Sequence, residues 1–362
     1  MRMIFHHPLP IDYNSRVASG IRPVRMINAF KELGYTVDVV AGHGAERKKA
    51  VVKIKSNIKN GVKYSFVYAE NSTLPVVLTE PHRIPLYPFL DYRFFKFCNK
   101  NNIPIGVFYR DIYWLFENFN NRLGGLKSLL ASYAYRYELW VYNKTVSKFY
   151  LPSLEMGKYV PIVHKSLFES LPPGHLNQDN SPLTEYNGDI LKLFYVGGMS
   201  DHYQMHKLFE TVRVMPQVEL TVCTRESEWL SVKSEYPELT ENIKIIHKVG
   251  KEMEHHLQDC DIALLFVKPQ EYREFAAPVK LYEYLGFHKP MIASSGTLAG
   301  SFIKENSIGW VVDYDEIALN KLLESLQEKP RYILDARASL GKVKKLHLWK
   351  SRAEKVVKDL MN

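Results

Sequence analysis

One segment of the sequence places a lysine and a glutamate where they could bind a nucleotide. Lys280 and Glu283 follow Pro278, which suits the first turn of a helix. At a spacing of three residues, the two side chains are neighbours on one helix face near the positive end of the helix. The helix amides and Lys280 could hold a diphosphate, and Glu283 could accept two hydrogen bonds from a ribose diol. The alternative is a surface ion pair between them, worth less than about 1 kcal/mol.

Glycines mark two further points where a predicted strand leads towards a helix. Gly20 precedes a helix predicted for Ile21–Leu33, and Gly197 and Gly198 directly follow a strand predicted for Ile190–Val196. Glycine lets a ligand approach the backbone closely, and a helix N-terminus attracts anions. For Gly20, the alternative is a turn that needs only a glycine. Neither segment has the GxGxxG or GxxxxGK[ST] spacing, which disfavours a simple dehydrogenase or a P-loop ATPase.

The elements that must position these residues alternate between short β-rich runs and amphipathic helices. This alternation predicts an α/β protein with two doubly wound, mostly parallel sheets facing a central cleft. We expect a first domain at 1–165, a linker at 166–188 rich in Pro, Asn and Ser, and a second domain at 189–345. Residues 346–362 are predicted to form a terminal helix that packs back toward the first domain.

The positive charge of the chain is concentrated in its first part. Of 362 residues, the first 150 contain 22 Lys and Arg against 10 Asp and Glu, whereas the whole chain has a net charge of +9. This asymmetry indicates an anionic partner for the first domain, or only a solvated basic surface. Because no nucleic-acid-binding signature is present, an anionic membrane surface fits better than nucleic acid.

Other sequence features bear on the compartment. Three cysteines without CxxC spacing argue against a disulfide framework and a structural zinc site, and favour a reducing compartment. No apolar run approaches the length that spans a bilayer, and the first residues lack the apolar region of a signal peptide. We therefore expect a soluble cytoplasmic protein.

An aromatic helix in the first domain has two interpretations. A helix predicted over Leu126–Val141 has apolar residues on one face, namely Leu129, Leu130, Tyr133, Tyr137, Trp140 and Val141. The pattern favours a face buried in the domain core, and membrane docking is the alternative.

Four segments resemble the GT-B glycosyltransferases, a group that includes the bacterial surface-polysaccharide enzymes. Pro278, Lys280, Glu283 and Tyr284, followed by Lys289-Pro290 and Ile292-Ala293, are similar to their "P-x-K-x-x-E-Y" helix and "G-K-P-x-I-A" strand. The segments Ser19–Val37 and Phe194–Gly198 resemble their first βα unit and the start of their donor domain, and Leu348–Ala353 resembles their final helix.

The resemblance implies a nucleotide-sugar donor and assigns roles to several residues. Donor binding is expected from Lys280, Glu283, Gly197, Gly198 and Pro278, together with Arg225 beyond the strand Val218–Cys223. In the large retaining group, a first glutamate precedes the second by eight residues. Here that position is Phe275, with Glu274 one place away, and Gly198 stands where Arg is common. An inverting reaction with a carboxylate base is therefore open.

For such a base, the resemblance directs attention to the first domain. Asp111 follows the predicted strand Ile105–Tyr109 and could take the proton of an acceptor hydroxyl. Arg110, Gly20 and Arg22 are the expected contacts of an acceptor or its phosphate. A pair of Arg110 and Asp111 that only orders the loop is the alternative, and Glu117 and Asp12 are weaker rivals for the base.

The resemblance thus implies glycosyl transfer from a nucleoside diphosphate sugar to a saccharide or lipid-linked acceptor in cell-surface polysaccharide assembly. No metal and no other cofactor are expected, because helix dipoles and basic residues would neutralise the leaving diphosphate. The protein would lie on the inner face of the membrane and would not bind nucleic acid. A nucleotide-sugar epimerase of the same fold and a non-catalytic nucleotide-binding relative are the alternatives.

Overall fold

The chain forms two compact units. Unit 1 comprises Met1–Pro173 and Trp349–Asn362, and unit 2 comprises Gly174–Leu348. Among the residues described, no helix is long and apolar enough to cross a membrane. The computed structural model describes residues 1–15, 18–116, 125–177, 186, 189–199 and 203–362.

Unit 1 contains a six-stranded parallel sheet with strand order β2-β1-β3-β4-β5-β6. Its strands are β1 (Arg2–His7), β2 (Thr36–Ala41), β3 (Val67–Glu70), β4 (Ile105–Phe108), β5 (Lys148–Leu151) and β6 (Phe168–Ser170). Its helices are α1 (Ala18–Glu32), α2 (Gly44–Lys59), α3 (Leu90–Lys100), α4 (Gly125–Thr145) and, at the end of the chain, α12 (Trp349–Met361).

Unit 2 repeats this architecture with strand order β12-β11-β10-β7-β8-β9, again with parallel pairing throughout. Its strands are β7 (Leu191–Val196), β8 (Val218–Cys223), β9 (Ile243–Ile246), β10 (Ile262–Leu265), β11 (Met291–Ser294) and β12 (Gly309–Val312). Its helices are α5 (His206–Val212), α6 (Glu226–Val232), α7 (Lys251–Asp259), α8 (Val279–Gly286), α9 (Leu298–Asn306), α10 (Glu316–Glu328) and α11 (Arg331–Lys344).

The strand orders locate the edge at which each unit can bind a ligand. The predicted doubly wound α/β class is confirmed, since both sheets are parallel and helices connect their strands. The order reverses beside β1 in unit 1 and beside β7 in unit 2. In such sheets ligands bind beyond the carboxyl ends of the strands at this reversal.

Burial of apolar side chains on both faces stabilises each sheet. In unit 1, Phe5, Phe30 and Tyr68 belong to one cluster that also includes Trp349 and Val356 of α12. Helix α12 therefore packs as part of unit 1, although it follows unit 2 in the chain. Burial of this apolar area is the main force that holds such layers together.

Two segments differ from the elements that the sequence predicts. The β-rich run Val62–Tyr68 reads as one strand in the sequence, but β3 begins only at Val67. The amide of Ser65 still donates a hydrogen bond to the Arg2 carbonyl at 2.8 Å, and Tyr64 Oη donates one to Asp38 Oδ2 at 2.5 Å. Strand β6 lies within the segment predicted as linker, and the two units divide between Pro173 and Gly174.

The prediction that the aromatic face of α4 is buried in the core is wrong. Leu129, Leu130, Tyr133 and Trp140 are exposed, although Val141, assigned to the same face, is buried. The face that packs into unit 1 carries instead Ala131, Tyr135, Leu139 and Tyr142. Because α4 is apolar over much of its circumference, its periodicity alone does not identify the side that meets the sheet.

Candidate functional site

A pocket in unit 2 lies where its strand order reverses. It is bounded by the strands β7 and β10, by the N-terminus of α8 and by the start of α9. Its walls are formed by Tyr195, Tyr203, Leu265, Val267, Arg273, Ala276, Pro278, Lys280, Thr297 and Ala299. We call this the unit 2 pocket. It contains Lys280 and Pro278, two of the residues that the sequence singles out.

Lys280 is held against two tyrosine rings in this pocket. Its Nζ donates a hydrogen bond to Tyr195 Oη at 2.7 Å. The same nitrogen lies 4.2 Å from the centroid of the Tyr195 ring and 4.3 Å from that of Tyr203, which is cation–π distance. The ammonium is thus fixed in position in the first turn of α8.

Arg273 brings a second positive charge to the same ring. Its guanidinium carbon lies 4.1 Å from the centroid of Tyr203, and its side chain is buried. Burial, and secondly the charge of Arg273, lower the pKa of Lys280 well below its usual range, although Glu283 and Glu228 act in the opposite direction. Two cations in one pocket, one of them with a depressed pKa, form an electrostatic environment that an anion would stabilise.

Gly197 is required by the position of Lys280. Its φ of +145° lies in a region that side-chain-bearing residues rarely adopt. A Cβ built at this residue would overlap Lys280 Nζ and Cε. The glycine predicted to allow close approach of a ligand therefore also makes room for the lysine.

Gly198 and Arg225 are linked through Glu228. The carbonyl of Gly198 accepts a hydrogen bond from Tyr195 Oη at 2.7 Å, and the next amide, of Met199, donates to Glu228 Oε2 at 3.1 Å. Arg225 precedes the first residue of α6, pairs with Glu228, and has a side chain 74% exposed. It lies next to the loop that follows β7, as expected for a residue beyond β8.

Glu283 lies one turn after Lys280 in α8 and is partly buried. Pro278 directly precedes the first helical residue, so the first-turn amides of α8, which lack partners within the helix, begin at the pocket wall. The helix thus begins where the sequence predicts, with Pro278 directly before its first residue rather than inside its first turn.

Sequence reasoning missed Tyr195, Tyr203, Arg273 and Thr297. Tyr195 belongs to β7, where it reads as one more strand residue, and Arg273 lies in a short 3₁₀ turn. Thr297 caps α9, since its Oγ1 accepts a hydrogen bond from Gly300 N at 3.0 Å. Only the cluster of charges at 271–274 hints at this turn, and nothing in the sequence connects it with Lys280.

Unit 1 has a charged cluster at its own strand reversal. Glu70, at the end of β3, is buried, and its Oε1 accepts hydrogen bonds from Arg22 Nε at 3.2 Å and Tyr68 Oη at 2.9 Å. Arg22 also donates to the carbonyl of Leu171 and lies 3.5 Å from the ring centroid of Phe108.

Arg22 therefore differs from its predicted role. It is 6% exposed, and its donors bind groups of unit 1 rather than facing an acceptor. Gly20 lies in the first turn of α1, two residues before Arg22. The sequence does not reveal Glu70 as the partner of Arg22, because 48 residues separate them.

Arg110 lies beside this cluster with much of its donor capacity unused. Its backbone amide donates to Asn71 Oδ1 at 2.7 Å, and its guanidinium is 3.8 Å from Glu70 Oε2. Within the described part of the chain, its buried Nε has no hydrogen-bond partner. Burial, opposed by Glu70 and reinforced by Arg22, lowers the pKa of Arg110.

Asp111 follows Arg110 and lies two residues before the 3₁₀ turn Tyr113–Leu115. Its Oδ1 accepts a hydrogen bond from Tyr113 N at 2.9 Å, and the side chain is partly buried. Of its rivals, Asp12 is exposed and accepts from Asn14 N at 2.9 Å, whereas Glu117 lies outside the described residues.

Two histidines that the sequence analysis did not single out end β1 next to this cluster. His6 Nε2 lies 2.7 Å from Asp91 Oδ1, which also pairs with Arg47. Burial, and secondarily the charge of Arg110, lower the pKa of His7 to about 4, while a hydrogen bond to the Leu9 carbonyl opposes the shift. His7 is therefore neutral at physiological pH.

Comparisons with known proteins identify the fold of the chain. No protein-family model and no curated protein sequence matches the chain. The crystal structure of Anabaena HepE in complex with UDP-glucose is similar over 99% of both chains, with a TM-score of 0.65 and 12% identity.

Two further solved structures agree. Sucrose-phosphate synthase from Thermosynechococcus elongatus is similar over 99% of this chain and 98% of its own, with a TM-score of 0.62 and 12% identity. A glycosyltransferase from Rickettsia africae matches over 100% and 99%, with a TM-score of 0.62 and 13% identity. The fold of this chain is therefore the GT-B fold, with two Rossmann-like units.

Proposed function

We propose that the protein is a glycosyltransferase that takes a sugar from a nucleoside diphosphate sugar bound in unit 2. The single observation that carries this proposal is the unit 2 pocket, in which Lys280 and Arg273 meet at the N-terminus of α8 beside Gly197. Two neighbouring cations and the amides at a helix N-terminus attract a diphosphate. The fold shared with HepE, which was crystallised with UDP and with UDP-glucose, supports a uridine donor.

Each donor-binding residue has a distinct role in this proposal. Lys280 and the first amides of α8 bind the diphosphate, and Arg273 adds charge next to them. Glu283, one turn further along, accepts hydrogen bonds from the ribose diol. Gly197 and Gly198 let the diphosphate approach the backbone after β7, and Arg225 contacts the phosphates or the base.

The acceptor is bound by unit 1. Arg110 presents a guanidinium that is only partly satisfied by Glu70, and this suits a phosphate or carboxylate of the acceptor. Arg22 is not part of this contact, because Glu70, Tyr68 and backbone carbonyls occupy its donors.

Asp111 acts as the general base. The acceptor oxygen attacks C1 of the donor sugar while the bond between C1 and the diphosphate oxygen breaks, and the proton of the acceptor hydroxyl passes to the Asp111 carboxylate. The leaving diphosphate keeps the electron pair of the broken bond, and Lys280 and Arg273 stabilise the charge that develops on it. Glu70 is less suited to this task, because it is buried and bound to Arg22.

These two cations also make a metal ion unnecessary for the leaving group. We therefore expect turnover to be insensitive to a chelator. The acceptor we propose is a lipid-linked saccharide of cell-surface polysaccharide assembly, reached from the cytoplasmic face of the membrane. The basic character of the first 150 residues, 22 cations against 10 carboxylates, supports an anionic acceptor and a membrane location.

A thermal-shift panel with UDP, GDP, CMP, ADP and NAD tests donor binding. A ligand at about 100 times its dissociation constant adds roughly 2.7 kcal/mol to the unit that binds it. We expect one nucleoside diphosphate to stabilise the wild type and to lose most of its effect on Glu283→Ala. Glu305→Ala, an exposed change in the same unit, serves as the matched control. If no nucleotide stabilises the wild type at saturation, the proposal fails.

Turnover of the matching sugar nucleotide then separates the remaining classes. Incubation of the protein with the labelled sugar nucleotide and a membrane extract should transfer the labelled sugar to lipid. Conversion of the nucleotide sugar without transfer would identify an epimerase instead. Binding without any turnover would identify a non-catalytic relative.

A further inference from the structure

We propose that unit 1 docks on an anionic lipid bilayer through one defined surface, built from α4 and the loop before α3. The proposal deepens the proposed function, on which it rests for the lipid-linked acceptor. The surface consists of the α4 stripe, defined as Leu129, Leu130, Tyr133, Tyr137 and Trp140, together with the loop 81–89. We call it the docking face.

The α4 stripe is apolar and exposed along about three turns of helix. Tyr133 is 64% exposed and Leu130 is 61% exposed, and the side chains of Leu129 and Trp140 are exposed as well. Residues 130, 133, 137 and 140 follow one another at intervals of three and four, so they form one row on the helix surface. A helix that presents such a row outside the core fits the interfacial region of a bilayer, where tyrosine and tryptophan are enriched.

The loop 81–89 continues this row with further apolar groups. Tyr137 Oη donates a hydrogen bond to the Pro88 carbonyl at 2.8 Å, and the rings of Tyr137 and Phe89 are 6.3 Å apart. Ile84, Leu86 and Phe89 are all more than half exposed. The stripe and the loop therefore form one continuous patch, larger than scattered surface hydrophobics.

The exposed charges of the two segments that carry the docking face have a single sign. Across residues 81–100 and 125–145 the sequence contains two acidic residues, Asp91 and Glu138. Both are buried inside unit 1, where Asp91 pairs with Arg47 and Glu138 accepts a hydrogen bond from Val76 N. The exposed Lys, Arg and His residues of these segments are His82, Arg83, Arg93, Lys96, Lys100, Lys127, Arg136 and Lys144, and neither segment has an exposed Asp or Glu.

This charge pattern selects the occupant. Anionic headgroups attract lysine and arginine beside an inserted aromatic row, and the bilayer interface accepts the apolar side chains. A second copy of the chain, meeting this face with the same face, would bring like charges together. An anionic membrane therefore satisfies both the apolar and the charged part of the surface.

Co-sedimentation with vesicles tests the proposal. The full chain is mixed with vesicles of phosphatidylcholine alone or of phosphatidylcholine with phosphatidylglycerol. We expect binding to the anionic vesicles, little binding to the neutral ones, and loss of binding at high salt. Leu130→Ser combined with Tyr133→Ser should weaken binding at least about tenfold, since two inserted side chains are removed.

Matched substitutions of exposed apolar and exposed basic side chains in unit 2 serve as controls. Leu230→Ser with Ile317→Ser alters two side chains that are 64% and 66% exposed, and it should leave vesicle binding unchanged. Arg136→Glu with Lys144→Glu should weaken binding at least about tenfold. Lys233→Glu with Lys321→Glu, equally exposed and in unit 2, should have a much smaller effect.

Tryptophan fluorescence of the wild type gives a second readout, for which Trp140→Phe is the control. Trp140 is the exposed tryptophan of the described chain, whereas Trp114, Trp229 and Trp349 are buried and Trp310, in unit 2, is partly buried. Anionic vesicles should shift the emission to shorter wavelength and protect it from acrylamide, and Trp140→Phe should abolish this change.

Three results would overturn the proposal. They are no binding to anionic vesicles, equal binding to neutral vesicles, and binding that the unit 2 variants weaken as much as the α4 variants do. Stabilisation by a nucleoside diphosphate is measured on the same variants without lipid. If it persists while vesicle binding fails, only the docking proposal is lost, and if nucleotide stabilisation fails alone, only the donor proposal is lost.

Discussion

Replacing Gly197 with alanine tests the arrangement of the unit 2 pocket in one step. The backbone φ of +145° at this position costs an alanine about 1–3 kcal/mol. The new Cβ would overlap Lys280 Nζ and Cε, so the lysine must move and lose its 2.7 Å hydrogen bond to Tyr195. A charged hydrogen bond of this kind contributes about 1.5–3 kcal/mol.

Together these effects should lower the Tm of unit 2 by roughly 5–20 °C. UDP affinity, measured by calorimetry below that temperature, should fall at least about tenfold, because Lys280 no longer lies at the helix N-terminus. Gly34→Ala is the control, since its φ is +81° and no described atom lies within 4 Å of its Cβ position. It should destabilise unit 1 by about 1–2 kcal/mol and leave UDP affinity unchanged.

A double-mutant cycle separates strain from collision. In a Lys280→Ala background the nearest remaining side-chain atom to the new Cβ is Tyr195 Oη, at 3.3 Å. Gly197→Ala should then cost only its backbone strain, so the two changes should be strongly non-additive. Additive effects, or a folded Gly197→Ala protein that binds UDP like the wild type, would refute the placement of Lys280.

Further predictions concern pH, catalysis and the interior of unit 1. Burial and Arg273 depress the pKa of Lys280, and a bound diphosphate should raise it again. UDP affinity, measured by calorimetry, should therefore fall as pH rises above the pKa that Lys280 has without UDP. Lys280→Arg should remove this dependence, since arginine stays charged. Asp111→Asn should reduce turnover by about 10²–10⁴-fold in a transfer assay while UDP affinity stays within twofold, and an unchanged rate would exclude Asp111 as the base. Burial raises the pKa of Glu138 to about 7, so the stability of the folded unit that depends on its protonated carboxyl is lost as pH rises through that value. Glu138→Gln, which cannot ionise, should therefore stabilise unit 1 by up to about 3 kcal/mol at pH 8 and by much less at pH 5, as measured by urea unfolding. Addition of a chelator should leave the initial rate of sugar transfer unchanged, and a loss restored by one divalent cation would contradict the roles of Lys280 and Arg273.

The architecture could be predicted from the sequence, because parallel strands between helices leave a strong alternating pattern. The helix that begins after Pro278 is also local information, since a proline, a lysine and a glutamate within six residues define its start and one of its faces. Such features depend on neighbours in the chain.

The parts that could not be predicted depend on distant contacts. Arg22 reads as an exposed cation near a helix start, but it is buried against Glu70, which is 48 residues away. Arg273 and Tyr203 meet Lys280 only in the folded unit. The apolar side of α4 has the same periodicity whether it faces the sheet or the solvent, so the sequence could not identify the exposed row.

Calorimetric titration of UDP into the wild type and into Lys280→Ala is the decisive test of a donor site in unit 2. We expect one UDP site per chain in the wild type and at least about tenfold weaker binding in the variant, because one charged contact to the diphosphate is removed. Equal affinity in the two proteins, or no UDP or other nucleoside diphosphate binding to the wild type, would contradict a donor site in unit 2.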